Sequence, residues 1–115
     1  MESDPAGKIT RLLLDWGAGN ESALAALRTV ALGNDPEGLR RQAMETYTEN
    51  IEADAAVQFL KSIVVNDPSG RIRLNALEIL SELNHDAGIP AVRELARSST
   101  DPRVRKQAVE ILSEH

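Results

Sequence analysis

The sequence predicts an all-α protein in which pairs of antiparallel helices stack on one another. Three observations lead to this prediction. Two short sequence patterns recur at spacings of 32 to 35 residues, the apolar residues follow a helical period, and only three residues are aromatic. Alanine and leucine supply most of the apolar side chains, and both favour helices that pack closely.

The two patterns define the repeat. The first is an aliphatic residue, arginine, two further residues and alanine, and it follows three of the four Asp-Pro dipeptides. It begins at Leu39, Ile72 and Val104. The second is alanine, an aliphatic residue, two further residues and leucine. It begins at Ala23, Ala56 and Ala91. Two patterns with a shared period indicate a repeat array, in which each helix pair covers the apolar face of the next.

Each half of a repeat is predicted to form one helix. The predicted helices occupy residues 7–16, 20–32, 36–48, 53–65, 70–83, 86–98 and 102–113. The first ends at Gly17, and Asn20 can cap the second. Asp-Pro precedes the third and the last, where aspartate can cap and proline suits the first helical position.

The remaining helices follow from apolar spacing and from a further cap. Residues 53–65 carry an apolar stripe that continues through Ile63-Val64-Val65, so this β-branched run is not a strand. Residues 70–83 and 102–113 place apolar side chains at i, i+4, i+7 and i+8. Asp86 is predicted to cap 86–98, with Pro90 in the first turn.

Composition excludes several kinds of protein. The 115-residue chain has a formal net charge of −5, which argues against a general binder of phosphate backbones. It has no cysteine, and no apolar run approaches the roughly 18 residues of a membrane span. No secretory signal is visible, so a cytoplasmic location is expected. His85 and His115 stand alone, and we expect no catalytic site, metal or cofactor.

The stretch from Asp86 to Leu112, with its Val-Arg-x-x-Ala core, resembles HEAT-like repeats, and more narrowly the short kind found in bilin-lyase subunits. The resemblance extends over about residues 20–115. It implies a right-handed α-solenoid of about seven helices in a single domain. The expected parts are a flexible N-terminus (1–8), an atypical first repeat (9–32), repeats at 35–65 and 67–98, and a half repeat at 101–115. Residues 9–27 are also similar to the start of extracytoplasmic-function sigma factors.

The resemblance implies that the second helices line the face where a partner is held. Outward positions on these helices form a mildly basic ridge. They are Arg28, Gln58, Lys61, Arg93 and Arg97. This ridge predicts a non-catalytic protein-interaction scaffold that binds an acidic peptide or protein surface. The alternative is an accessory protein that handles a bilin (a tetrapyrrole), and weak nucleic-acid binding comes third.

Aspartate and arginine recur at the same positions of successive repeats, and two interpretations of these residues stay open. The resemblance implies that they join successive repeats; the alternative is a phosphate-binding ladder of arginines. The residues are Asp35, Arg40, Asp67, Arg73, Asp101 and Arg105. We favour the structural role, because planar guanidinium groups suit partly buried pairs with carboxylates.

The last predicted helix carries apolar residues that a following helix would normally cover in part. They are Val104, Val109, Ile111 and Leu112. Their exposure predicts a longer repeat array or self-association through this helix, and a small protein that tolerates the exposure is the third interpretation.

Overall fold

A computed structural model describes residues 21–115, which form six α-helices and one short 3₁₀ turn with no strand among them. The helices are α1 (Glu21–Leu32), α2 (Glu37–Glu49), α3 (Ala53–Asn66), α4 (Gly70–Ser81), α5 (Ile89–Ser98) and α6 (Pro102–Ser113). The predicted all-α fold is confirmed. The predicted helix at 7–16, the flexible N-terminus and most of the stretch similar to sigma factors lie outside the described residues.

The chain divides into two compact units, one ending at Asn50 and the other running from Ile51 to His115. In the first, α1 packs on α2. Leu27 and Met44 are fully buried there. Small alanines at 23, 31 and 43 are buried as well, which allows the two helix backbones to approach closely.

The second unit consists of α3 to α6. Helix α3 packs on α4, α5 packs on α6, and α4 also contacts both α5 and α6. Large aliphatic side chains with almost no exposed surface form its core. They are Leu60, Val64, Ile72, Leu77, Leu80, Val92, Leu95 and Val104. The repeat alanines at 56, 76, 91 and 108 are buried between them.

The starts of three helices bear on the prediction that the aspartate of an Asp-Pro dipeptide caps the helix that follows. Helix α6 begins at Pro102, and the Asp101 side chain accepts a hydrogen bond from the Arg103 backbone N–H (2.9 Å), as the sequence predicts. Helix α4 is capped instead by Ser69, whose hydroxyl accepts from the Ile72 N–H. Helix α2 has Pro36 itself in the capping position and no side-chain cap.

The predicted helix at 86–98 with Asp86 as its cap is wrong in its first turn. Residues Asn84–Asp86 form a separate 3₁₀ turn, and α5 begins only at Ile89. His85 and Asp86 have positive φ angles of 59° and 56°, so neither has the extended backbone that an N-cap residue adopts. The chain then passes at Gly88 so close to the Leu80 carbonyl that a Cβ atom would overlap it.

Candidate partner-binding surface

The predicted ridge residues lie on α1, α3 and α5. Arg28 is exposed on α1, in the unit that ends at Asn50. The other four belong to the unit from Ile51 onward: Gln58 is exposed on α3, Arg93 and Arg97 are exposed on α5, and Lys61 is half-buried on α3.

Lys61 is not a free cation. Its Nζ lies 2.7 Å from Oε1 of Glu94, so an ion pair joins α3 to α5. The Lys61 side chain is 29% exposed and that of Glu94 is 51% exposed. Sequence reasoning missed Glu94 as a partner. The available signal was the separation of 33 residues, which is about the length of one repeat.

Arg93 and Arg97 carry the available positive charge of this surface. They are four residues apart and share one face of α5. Neither guanidinium makes a hydrogen bond or an ion pair with any residue of 21–115. Two like charges at this spacing repel each other mildly.

Arg73 and Asp101 form a second link between helices, from α4 to the start of α6. Arg73 donates to Oδ2 of Asp101 from Nη2 (2.9 Å) and from Nε (3.1 Å), and the two side chains are only 21% and 13% exposed. The Arg103 backbone N–H, followed by the Arg73 hydrogen bond, holds the pKa of the Asp101 carboxyl below its ordinary value, because both stabilise the charged form.

The three arginines at equivalent repeat positions share a role that sequence alone did not specify. Each donates to a backbone carbonyl in the last turn of the preceding helix or just after it. The bonds are Arg40 Nε to the Ala31 carbonyl (2.9 Å), Arg73 Nη1 to Asp67 (2.7 Å) and Arg105 Nη1 to Ser99 (2.5 Å). Carbonyls at helix ends have no partner within the helix, and a cation is the favourable group there.

A groove of about 530 Å³ lies beside these ion pairs, between α3, α5 and the segment that leads into α6. Its apolar lining comes from Val64, Val65, Leu95 and Pro102, and its polar lining includes both ion pairs. Val65 is 57% exposed although it follows the buried Ile63 and Val64. The predicted apolar stripe of α3 therefore ends at Val64, and Val65 faces the groove.

The last helix differs in part from the prediction. Val104 is fully buried rather than awaiting a further helix, because α6 packs against both α4 and α5. Val109 is 52% exposed, and Ile111 and Leu112 are half-buried. Near this end, Nε2 of His115 lies 3.1 Å from Oδ1 of Asp86.

Within residues 21–115, His, Asp and Glu side chains form no group of three or more that could hold a metal ion. None of the helices described there has the length and apolar character needed to cross a membrane.

Comparison with known proteins identifies a repeat family. A family model described as HEAT repeats matches residues 57–115, slightly more than half of the chain and most of the unit that carries the groove. No curated protein and no solved structure shows significant similarity to the chain.

Proposed function

Because the chain belongs to the HEAT-repeat family, whose members generally serve as scaffolds for protein interactions, we propose that it is a non-catalytic module that binds an acidic protein partner through its second helices. The proposed contact residues are Arg28 on α1, Gln58 and Lys61 on α3, and Arg93 and Arg97 on α5. The observation that supports this proposal most directly is the exposed, unpaired state of Arg93 and Arg97 among the described residues.

The distribution of charge supports an acidic partner. The three repeat arginines already donate to backbone carbonyls, and Lys61 is neutralised by Glu94. Arg93 and Arg97 therefore provide free positive charge on an otherwise acidic chain. Carboxylates of a partner complement such a local field, which raises association rates and disfavours basic partners.

The two remaining residues have distinct parts. Gln58 is exposed on α3 and offers an amide that can donate or accept a hydrogen bond. Lys61 keeps Glu94 paired, so the carboxylate nearest the two arginines in sequence does not compete with the partner's carboxylates.

The test uses two variants that lose the same charge. Arg93→Gln/Arg97→Gln removes the proposed contacts, and Arg103→Gln/Lys106→Gln removes two exposed cations of α6. Each variant and the parent chain serve as bait in a quantitative affinity capture. We expect a partner with an acidic contact surface to be retained by the parent and the α6 variant, and lost by the α5 variant. Equal retention by all three baits would refute the proposed surface.

A further inference from the structure

We propose that the groove between α3 and α5 receives an aliphatic side chain of the partner, from a short extended segment whose flanking acidic residues bind Arg93 and Arg97. This inference rests on the proposed function and specifies the chemistry of the partner. It concerns only the unit from Ile51 onward, which contains the groove and both arginines.

The apolar part of the groove supplies the first argument. Val65 is exposed over 57% of its surface, and it lies with Val64, Leu95 and Pro102 in the lining of one cavity. Val64 and Leu95 are almost fully buried, so an aliphatic side chain here covers mainly Val65 and Pro102 and removes apolar area from water on both partners, which is favourable in proportion to the area covered. The volume of about 530 Å³ falls within the range of roughly 300–1,000 Å³ that is typical of ligand pockets.

The polar part of the groove supplies the second argument. Both carboxylates in the lining are already paired, Glu94 with Lys61 and Asp101 with Arg73. They therefore repel an acidic segment much less than free carboxylates would. The two cations in the lining, Lys61 and Arg73, are paired with these same carboxylates, so they offer no free positive charge to a carboxylate or a phosphate.

The free cations lie on the same helix as part of the groove lining. Glu94, Leu95 and Ser98 line the groove, whereas Arg93 and Arg97 lie on the adjoining outer face of α5. A segment that places an aliphatic side chain in the groove carries its neighbouring residues across this face. Acidic residues on either side of the aliphatic one then complete the match of charge and shape.

The test measures binding of short labelled peptides to the full chain by fluorescence anisotropy. The probe peptide has one central leucine flanked by aspartate and glutamate. Two matched peptides replace the leucine with serine or every acidic residue with lysine. We expect the leucine peptide to bind roughly tenfold more tightly than the serine peptide, and the lysine peptide not to bind.

Matched variants of the chain separate the groove from the arginines. Val65→Ser should abolish the preference for leucine over serine, whereas Val109→Ser, at an equally exposed valine of α6, should leave it unchanged. Arg93→Gln/Arg97→Gln should weaken the binding of both acidic peptides. Higher salt should reduce the contribution of the arginines more than the leucine preference.

The outcomes distinguish this inference from the proposed function. Binding that depends on the two arginines but shows no leucine preference would overturn the role of the groove and leave the interaction surface intact. A leucine preference that survives Val65→Ser would also overturn it. If neither acidic peptide binds the parent chain, the proposed partner chemistry is wrong, while the capture experiment with the α5 variant still tests the surface itself.

Discussion

Replacement of Arg73 by methionine tests whether the ion pair to Asp101 stabilises the repeat unit. Methionine keeps the long apolar stem and removes every donor. The substitution removes two hydrogen bonds to one carboxylate oxygen and one to the Asp67 carbonyl. A hydrogen bond to a charged group contributes about 1.5–3 kcal/mol and a neutral one about 1 kcal/mol. Because two bonds share one acceptor and the pair is partly exposed, we expect a loss of about 2–3 kcal/mol.

Arg103→Met is the matched control on the same carboxylate. Its Nε lies 3.7 Å from Oδ1 of Asp101, and its side chain is 66% exposed. Surface pairs of this kind contribute about 0–1 kcal/mol, so the control should cost at most about 0.5 kcal/mol. Both variants lose one positive charge, and both keep the backbone N–H that bonds to Asp101.

The assay is urea unfolding followed by far-ultraviolet circular dichroism, with free energies obtained by linear extrapolation. A cycle with Asp101→Asn isolates the coupling between Arg73 and Asp101. If Arg73→Met costs no more than Arg103→Met, or if the coupling energy is near zero, the ion pair is not a stabilising link between α4 and α6.

Three further predictions concern stability. The pKa of Asp101 is below its ordinary value of 3.8 in the folded chain. Its contribution to the free energy of unfolding is therefore complete above about pH 3.8 and is lost as the pH falls through the folded pKa. In an acid titration, Arg73→Met should lose less stability than the parent chain. Gly88→Ala should destabilise by about 1–3 kcal/mol, because its Cβ would meet a backbone carbonyl, whereas Gly38→Ala on α2 has open space and should be neutral or slightly stabilising in the same urea assay. Arg40→Met should cost about 2–3 kcal/mol by thermal unfolding, because it leaves a buried carbonyl in α1 without its donor, and a cost below about 0.5 kcal/mol would contradict this assignment.

The helices were predictable because short-range sequence patterns define the repeat. Apolar residues four and seven positions apart identify the buried faces, and Asp101-Pro102 marks the start of α6. The start of α5 was not predictable in this way. An aspartate before an apolar helix is a typical cap, but Asp86 has a positive φ and α5 begins three residues later, after Gly88 passes close to the Leu80 carbonyl, a tertiary contact that no local pattern reveals.

The helices that carry the candidate surface were predictable, but the pairing of its charged side chains was not. Repeat phase placed Lys61, Arg93 and Arg97 on second helices, where the structure has them. Position within the repeat does not show which cations form ion pairs with a neighbouring helix. The pairing of Lys61 with Glu94, and the exposure of Val65 beside it, depend on how closely α3 and α5 approach each other, which no local pattern encodes.

The short reach of the ion pairs has a consequence for how the chain acquires its structure. Arg73 and Asp101 are 28 residues apart, and Lys61 and Glu94 are 33 apart. Both links close loops of about one repeat, and the entropic cost of closing a loop grows only slowly with its length. During synthesis, which proceeds from the N-terminus, each helix of the unit from Ile51 onward can therefore dock as soon as about one further repeat has left the ribosome.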